Sequence, residues 1–409
     1  MTHEDALAGP LQALAADSHA ALAAGYDLDV VYERIADNPA RGRFDAALAG
    51  DEMDALFPAG DAGYVFLTTG DGQHITRDVL PALIVAGAGK RLRALHDDTF
   101  RVEDLLEETA RLIDRMRRLV RGEEVEFPMV SIFSGVGIAP EVNVELPWGV
   151  LAHPTRWANT WAEWSRGDLM LVTDVPIKIA IVEPGEAPEP PPEFAAEFDQ
   201  VNEKLDTLER RSSLTLLLGL PRKPGAVRLW RAVLGPLLGQ GFSTRGGNPR
   251  PLFGTQAHID TSAAAALLPW ARLVEERYQP RLNIATDRLI SSITMRHDPG
   301  DALVDAVIAL EAIFAGTDQG ELSFRIAAAL AALLEPDDAG ARERVFKEAR
   351  DLYAARSRIV HGQRPPTAEA GVLRDRAFEL GTQALRRLYE HHPHLLGDDG
   401  RARRLILRV

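Results

Sequence analysis

The segment 183–193 limits how this chain can fold, because its composition excludes regular secondary structure. It reads Glu-Pro-Gly-Glu-Ala-Pro-Glu-Pro-Pro-Pro-Glu, and proline fixes φ and offers no backbone N–H to a helix or a sheet. An acidic, proline-rich run of this kind is typical of a semi-rigid spacer. The sequence therefore predicts a linker at residues 184–193, with separately folded regions before and after it.

Hydrophobic periodicity predicts a mixed α+β domain at residues 1–183. Apolar positions recur at helical spacing over residues 1–26 and 102–119, and the chain up to about residue 121 is predicted to be rich in helix. Apolar residues then alternate with other residues, which predicts strands, near residues 125–129, 142–146 and 177–181. No motif assigns a role to this domain, and a sensor is one candidate.

After the linker, the pattern predicts an all-α C-terminal half, so the fold class is α+β overall. Helical patterns cover residues 194–211 and 214–240, and a long loop rich in Gly, Pro and Arg follows at 241–258. Further helices are predicted near residues 263–278, 281–295, 301–315, 321–335, 341–360 and 368–391. We divide this half into a helical connecting region at 194–284 and a helical bundle at 285–409.

Composition narrows the functions that need to be considered. The chain has 409 residues and no cysteine, which excludes disulfides, thiolate zinc sites and cysteine nucleophiles. It lacks a signal-peptide pattern and any run of about 18 uncharged apolar residues, so we expect a cytoplasmic protein without membrane contact. The net charge of −14 argues against a protein that coats nucleic acid non-specifically. We predict no cofactor and no metal site.

One motif near the C-terminus combines two groups that act on phosphodiesters. It reads Tyr353-Ala-Ala-Arg-Ser-Arg-Ile-Val-His-Gly362. Arg356 carries a permanent charge that can bind two phosphate oxygens, and His361 can transfer protons near neutral pH. Gly362 stands where a left-handed helix cap is expected. Spacing alone selects nothing, since Arg and His are also five residues apart at 91/96, 386/391 and 387/392; the surrounding residues distinguish this pair.

That context resembles the HEPN superfamily, and within it the ApeA-like group, whose hallmark reads roughly Tyr-x-x-Arg-Ser-x-Ile-Val-His-Gly. The resemblance continues upstream through Ala309-Leu-Glu-Ala-Ile-Phe314, through Glu321-Leu-Ser-Phe-Arg-Ile-Ala327 and an Ala/Leu run to Leu334, and through an Arg-rich approach at 342–350. It covers about residues 285–392, and nothing in the first two thirds of the chain resembles a known family.

The resemblance implies a helical bundle that forms an isologous homodimer. It also implies metal-independent cleavage of RNA, in which the ribose 2′-OH attacks the adjacent phosphorus and leaves a 2′,3′-cyclic phosphate. In that reaction His361 transfers protons, Arg356 stabilises the phosphorane oxygens, and Ser357 is the small polar residue of the family motif. The implied setting is bacterial antiphage defence or another stress response, with the N-terminal domain sensing an unknown trigger or restraining the nuclease.

Other residues are candidates for binding or support. The candidates for RNA contact are the basic residues Arg342, Arg344, Lys347, Arg350, Arg358 and Arg364, although a solvated helix face with ion pairs has the same composition. Glu321 and Arg325 are spaced for a helical ion pair. Glu311, on an otherwise apolar helix, requires a partner such as Arg325 or Arg356. Tyr353 and Gly362 are assigned structural or accessory roles.

Two observations keep other functions open. Residues five apart on a regular helix point about 140° away from each other, so Arg356 and His361 share one face only if the helix ends or loosens before the histidine. A C-capping histidine beside a surface arginine is the structural alternative. The functional alternatives are a non-catalytic HEPN module that binds RNA, a nucleotide or a protein partner, and a dimerisation platform for the N-terminal half.

Overall fold

The protein is described by a computed structural model. It describes residues 3–24, 28–68, 70–96, 100–154, 168–185, 188–233, 242–243, 257–314, 322–363 and 365–408. The chain forms two compact units. The first comprises Met1–Ile132, Trp148–Thr207 and Trp230–Gly247, and the second comprises Phe133–Pro147, Leu208–Leu229 and Asn248–Val409. This division differs from the predicted linear one: the predicted linker lies inside the first unit, and neither unit is continuous in sequence.

The secondary structure confirms an α+β chain with a sheet-containing N-terminal region and a helical C-terminal half. Its helices are α1 (His3–Ala23), α2 (Leu28–Asp37), α3 (Ala40–Leu48), α4 (Leu80–His96), α5 (Val102–Val120), α6 (Pro192–Gly219), α7 (Thr261–Arg277), α8 (Asn283–Thr294), α9 (Pro299–Phe314), α10 (Leu322–Leu334), α11 (Ala339–Val360), α12 (Thr367–His391) and α13 (Arg401–Leu407). Its strands are β1 (Ala62–Leu67), β2 (Gly70–Thr76), β3 (Val125–Ser134), β4 (Val136–Ile138), β5 (Val144–Leu146), β6 (Gly149–Ala152), β7 (Leu169–Ile177), β8 (Ile179–Val182), β9 (Val227–Val233), β10 (Phe242–Ser243) and β11 (Ala257–Ile259).

The first unit contains an antiparallel sheet that periodicity did not predict. Strand β1 pairs with both β2 and β8, although residues up to about 121 were predicted to be rich in helix. Strand β1 is the central strand and buries most of its residues, so it lacks the alternation that marks a half-exposed strand. Helices α1 and α5 and the strands near 125–129 and 177–181 are confirmed.

A second sheet has the strand order β10-β9-β3-β7-β6 in the first unit. Strand β9 corrects the prediction of a helix over 214–240: α6 ends at Gly219, and Pro221 and Pro224 prevent it from continuing. Helix α6 also begins at Pro192, inside the predicted linker, because proline is tolerated in a first helical turn. The predicted loop 241–258 lies mostly outside the described residues.

The bundle of the second unit is built around α9, which packs against α8, α10, α11 and α12. All of these helices were predicted, with ends within two residues of those observed. Small residues allow close approach: a Cβ on Gly381 of α12 would lie 2.8 Å from Leu289 of α8. In the part of the chain that the structure describes, no helix is both long enough and apolar enough to cross a membrane.

One buried carboxylate interrupts the apolar surface of α9. Asp305 is 2% exposed and accepts hydrogen bonds from Arg288 Nη1 at 2.7 Å, Ser291 Oγ at 2.8 Å and Arg296 Nε at 2.6 Å. Burial alone would raise the pKa of Asp305, but these donors hold that pKa below its ordinary value. The network therefore joins α9 to α8 and to the turn between them.

We expect Asp305→Asn to lower the free energy of unfolding by about 2 kcal/mol near pH 7, because it leaves two half-exposed guanidinium groups without their carboxylate. The pKa of Asp305 is lower in the folded protein than in the unfolded chain, so the unfolded chain takes up the proton first as pH falls. The stabilisation from Asp305 is therefore lost as pH falls from about 4 toward the pKa of the folded state. Urea unfolding at several pH values measures both effects. Asp301→Asn, an exposed position on the same helix, is the control, and an equal loss in both variants would contradict the prediction.

Candidate active site

The end of α11 is a hydrogen-bonded cap built on Gly362. The N–H of His361 donates to Ser357 O at 3.1 Å, the N–H of Gly362 to Ile359 O at 2.9 Å, and the N–H of Gln363 to Arg358 O at 2.8 Å. Gly362 has φ of +84°, so this is a Schellman motif. The left-handed cap predicted from the sequence is confirmed.

The cap also fixes the relation between Arg356 and His361. The helix stays regular through Val360, and the N–H of His361 still makes a helical hydrogen bond. The two side chains therefore leave the helix about 140° apart. Arg356 is half-buried and His361 is exposed, and no hydrogen bond or ion pair among the described residues joins them. A single copy of the chain does not bring the two groups onto one face.

Arg356 is held instead against α9. Its Nη2 lies 4.0 Å from Glu311 Oε1, so Arg356 is the nearer of the two cations expected to pair with Glu311. Burial raises the pKa of Glu311, and the Arg356 charge opposes that rise. Burial and the nearby Glu311 carboxylate raise the pKa of Tyr353, so its phenol stays neutral. Tyr353 Oη and Arg356 Nε are both buried without a hydrogen-bond partner among the described residues, which leaves two donors available at this site.

The predicted RNA-binding residues are not equivalent. Arg344, Lys347 and Arg358 are exposed, and with His361 they lie within about 100° of arc on α11. Arg350 is half-buried. Arg342 has a structural role: its Nε donates to Glu335 O at 2.9 Å and its Nη2 donates to Pro336 O, which fastens the turn between α10 and α11.

Two predicted residues cannot be located. Arg364 and Glu321, the proposed helical partner of Arg325, lie outside the described residues. Ser357 is exposed at the last turn of α11. Within the described ranges, no group of three or more His, Asp or Glu side chains is arranged to hold a metal ion.

Sequence patterns missed a cavity of about 550 Å³ in the second unit, lined by residues 217–224 and by one face of α12. The available signal was Pro221-Arg-Lys-Pro224, where two prolines flank two cations. Prolines restrict the backbone of such a loop. Its partner on α12 is more than 150 residues away in sequence, so periodicity could not connect the two.

Comparisons of this chain with protein family models, with curated proteins and with solved structures give no match.

We expect Gly362→Ala to lower the free energy of unfolding by about 1 kcal/mol, because a Cβ is strained at positive φ. The space around Gly362 is open, so no steric clash adds to this cost. Gly371→Ala is the matched control: Gly371 lies within α12 with open space around it, and alanine there should stabilise the helix by about 0.5–1 kcal/mol. Chemical denaturation measures both variants, and the same sign of change in both would contradict the assignment of the cap.

Proposed function

We propose that the chain is a metal-independent endoribonuclease of the HEPN type that works as a homodimer. One observation carries the proposal: a half-exposed arginine, Arg356, is held beside Glu311, while His361 is exposed at a rigidly capped end of the same helix. A fixed cation and an accessible imidazole are the groups required to cleave RNA through its own 2′-OH.

In the proposed reaction the 2′-oxygen forms a bond to phosphorus and the bond from phosphorus to the 5′-oxygen breaks. The products are a 2′,3′-cyclic phosphate and a free 5′-hydroxyl. His361 transfers the proton, from the 2′-OH or to the departing 5′-oxygen, and Arg356 stabilises the charge on the non-bridging oxygens. DNA lacks the 2′-OH and is not a substrate.

The divergence of Arg356 and His361 on one helix supports a site shared between two copies. In an isologous dimer, Arg356 of one protomer and the partner's His361 can reach the same phosphate. Exposed apolar side chains of the bundle would favour association. Val360, in the last turn of α11, is 55% exposed, and Phe324, at the start of α10, is 50% exposed and packs edge-on against Phe346 at 5.3 Å between ring centroids.

We further propose that the enzyme acts in the cytoplasm, in bacterial antiphage defence or another stress response. The N-terminal region would sense the trigger or restrain cleavage. These parts of the proposal rest on the resemblance of residues 285–392 to the ApeA-like HEPN group.

Arg356→Ala and His361→Ala should each abolish RNA cleavage, and the double variant should be hardly worse than either, because residues that act as a unit are not additive. Cleavage of a fluorescent RNA in the presence of EDTA, with a matched DNA, is the measurement. Arg403→Ala, an exposed arginine on α13 outside the proposed site, is the control. Independent, additive losses would contradict a shared site, and strong inhibition by EDTA would contradict the metal-independent mechanism.

A mixture of the two inactive variants tests the composite site. If Arg356 and the partner's His361 form one site, unfolded and refolded mixtures should recover about a quarter of wild-type activity, since half of the dimers are mixed and each holds one intact site. If both residues act within one protomer, the mixture stays inactive.

A second candidate function is a non-catalytic HEPN module that binds RNA, a nucleotide or a protein partner, or serves as a dimerisation platform. The ion pair between Arg356 and Glu311 favours it, because it gives the arginine a structural role. Under this alternative, Arg356→Ala lowers stability and wild-type protein does not cleave RNA.

Reversing exposed positive charges on α11 distinguishes a protein that binds RNA from a dimerisation platform. Arg344→Glu, Lys347→Glu and Arg358→Glu together should weaken RNA binding and reduce the slope of log affinity against log salt by about 2, because three exposed cations are lost. Stability should stay nearly unchanged. Arg403→Glu, an exposed position on α13, is the control. Undetectable or salt-independent RNA binding by the wild type would overturn the nuclease proposal.

A further inference from the structure

The cavity between the end of α6 and α12 has the size and composition of a small-molecule site. Its volume of about 550 Å³ lies within the usual range of about 300–1,000 Å³ for ligand pockets. Leu217, Leu220 and Phe378 supply apolar walls, and the rigid loop Pro221–Pro224 forms one side. Its lining shares no residue with the site on α11.

The charge of the lining is opposite to that of the whole chain. Arg222, Lys223 and Arg386 are cationic and only Glu379 is anionic, in a protein of net charge −14. Lys223 is neutralised by Asp375, and Glu379 by an arginine of its own helix. Among the described residues, neither Arg222 nor Arg386 has a carboxylate within ion-pair distance, although the charge of Glu390 acts on Arg386 from farther away. The lining therefore carries more positive than negative charge.

Arg386 is held in place by backbone groups. Its Nε donates to Leu218 O at 2.7 Å and its Nη2 to Leu220 O at 2.9 Å, so two edges of the guanidinium are fixed by the end of α6. Its Nη1 makes no hydrogen bond to any described residue. Burial lowers the pKa of Arg386, and the Glu390 carboxylate only partly opposes that shift.

Thr382 supplies a second, independent sign of a ligand. It is 6% exposed and lines the cavity, yet its Oγ1 has no hydrogen-bond partner among the residues that the structure describes. Two buried hydroxyls on α8 instead donate to a carbonyl of the preceding turn: Thr286 to Leu282 O at 3.2 Å and Thr294 to Ile290 O at 2.7 Å. A buried hydroxyl that makes no hydrogen bond lowers the stability of the fold, unless a bound ligand makes that hydrogen bond.

Phe378, Thr382 and Arg386 are four residues apart along α12 and form one stripe of about 12 Å. An apolar ring stands at one end of the stripe, a hydroxyl in the middle and a cation at the other end. We propose that this cavity binds a small organic anion, with its carboxylate or phosphate on Arg386 and Thr382 and its apolar or aromatic body against Phe378, Leu217 and Leu220.

Calorimetric titration of the full chain tests the proposal with AMP, 1-naphthoate and octanoate. Inorganic phosphate and acetate serve as probes of the head group alone. At least one of the three larger anions should bind, and more tightly than the matching head group, because the body adds apolar contact. Failure of all three to bind the wild type, or equal binding of the bare head groups, would overturn the proposal.

Two matched pairs of variants locate the binding. Arg386→Gln should weaken binding about tenfold or more, since a charge-assisted contact is lost, while Arg387→Gln, its exposed neighbour, should not change it. Thr382→Val should weaken binding several-fold, while Thr215→Val, whose Oγ1 is also buried without a partner outside the cavity, should not.

Thr382→Val also provides a variant that we expect to stay folded. Valine has the shape of threonine, and it replaces a hydroxyl that makes no hydrogen bond to any described residue, so the melting temperature of the variant should equal or exceed that of the wild type. Equal affinities of the two arginine variants, or of the two threonine variants, would overturn the assignment. The retained fold of Thr382→Val keeps the result decisive even if Arg386→Gln unfolds, because Arg386 also binds the end of α6.

Discussion

The packing of four helices around α9 is the constraint on which the second unit depends. The faces of α9 that contact these helices must be apolar, apart from groups whose charges are compensated. Two of its carboxylates are at least half-buried: Asp305, held by Arg288, Ser291 and Arg296, and Glu311, paired with Arg356. Each of these carboxylates therefore fixes the position of a neighbouring element.

The candidate site follows from the second of these pairs. Because Glu311 needs a cation, α11 must present Arg356 toward α9, on its buried side. The Schellman cap at Gly362 then keeps the helix regular up to His361 and directs the imidazole elsewhere. The same requirement that stabilises the bundle thus separates the two proposed catalytic groups, and it is the physical reason that the proposed nuclease requires two copies of the chain.

The elements that the sequence predicted well are those with a clear period or a clear stop signal. The helices near residues 263–391 have apolar faces at helical spacing. The glycine at position 362 likewise predicted the left-handed cap at the end of α11. The failures have an equally clear cause. Strand β1 reads as an almost continuous apolar segment and so lacks a polar–apolar alternation. Strand β9 follows Pro221 and Pro224, which end α6 well before the predicted end of that helix. The division into units was also missed, because segments far apart in sequence assemble in each of them.

By itself, the sequence determined the fold class, the helices of the bundle, the helix cap and the identity of the groups proposed to act on phosphate. These are local properties, set by periodicity, backbone conformation and side-chain chemistry. Only the tertiary structure decided that Arg342 fastens a turn, that Arg356 faces Glu311 and diverges from His361, and that Thr382 and Arg386 line a cavity with residues 217–224. Such relations depend on the packing of helices distant in sequence, and no local pattern encodes them.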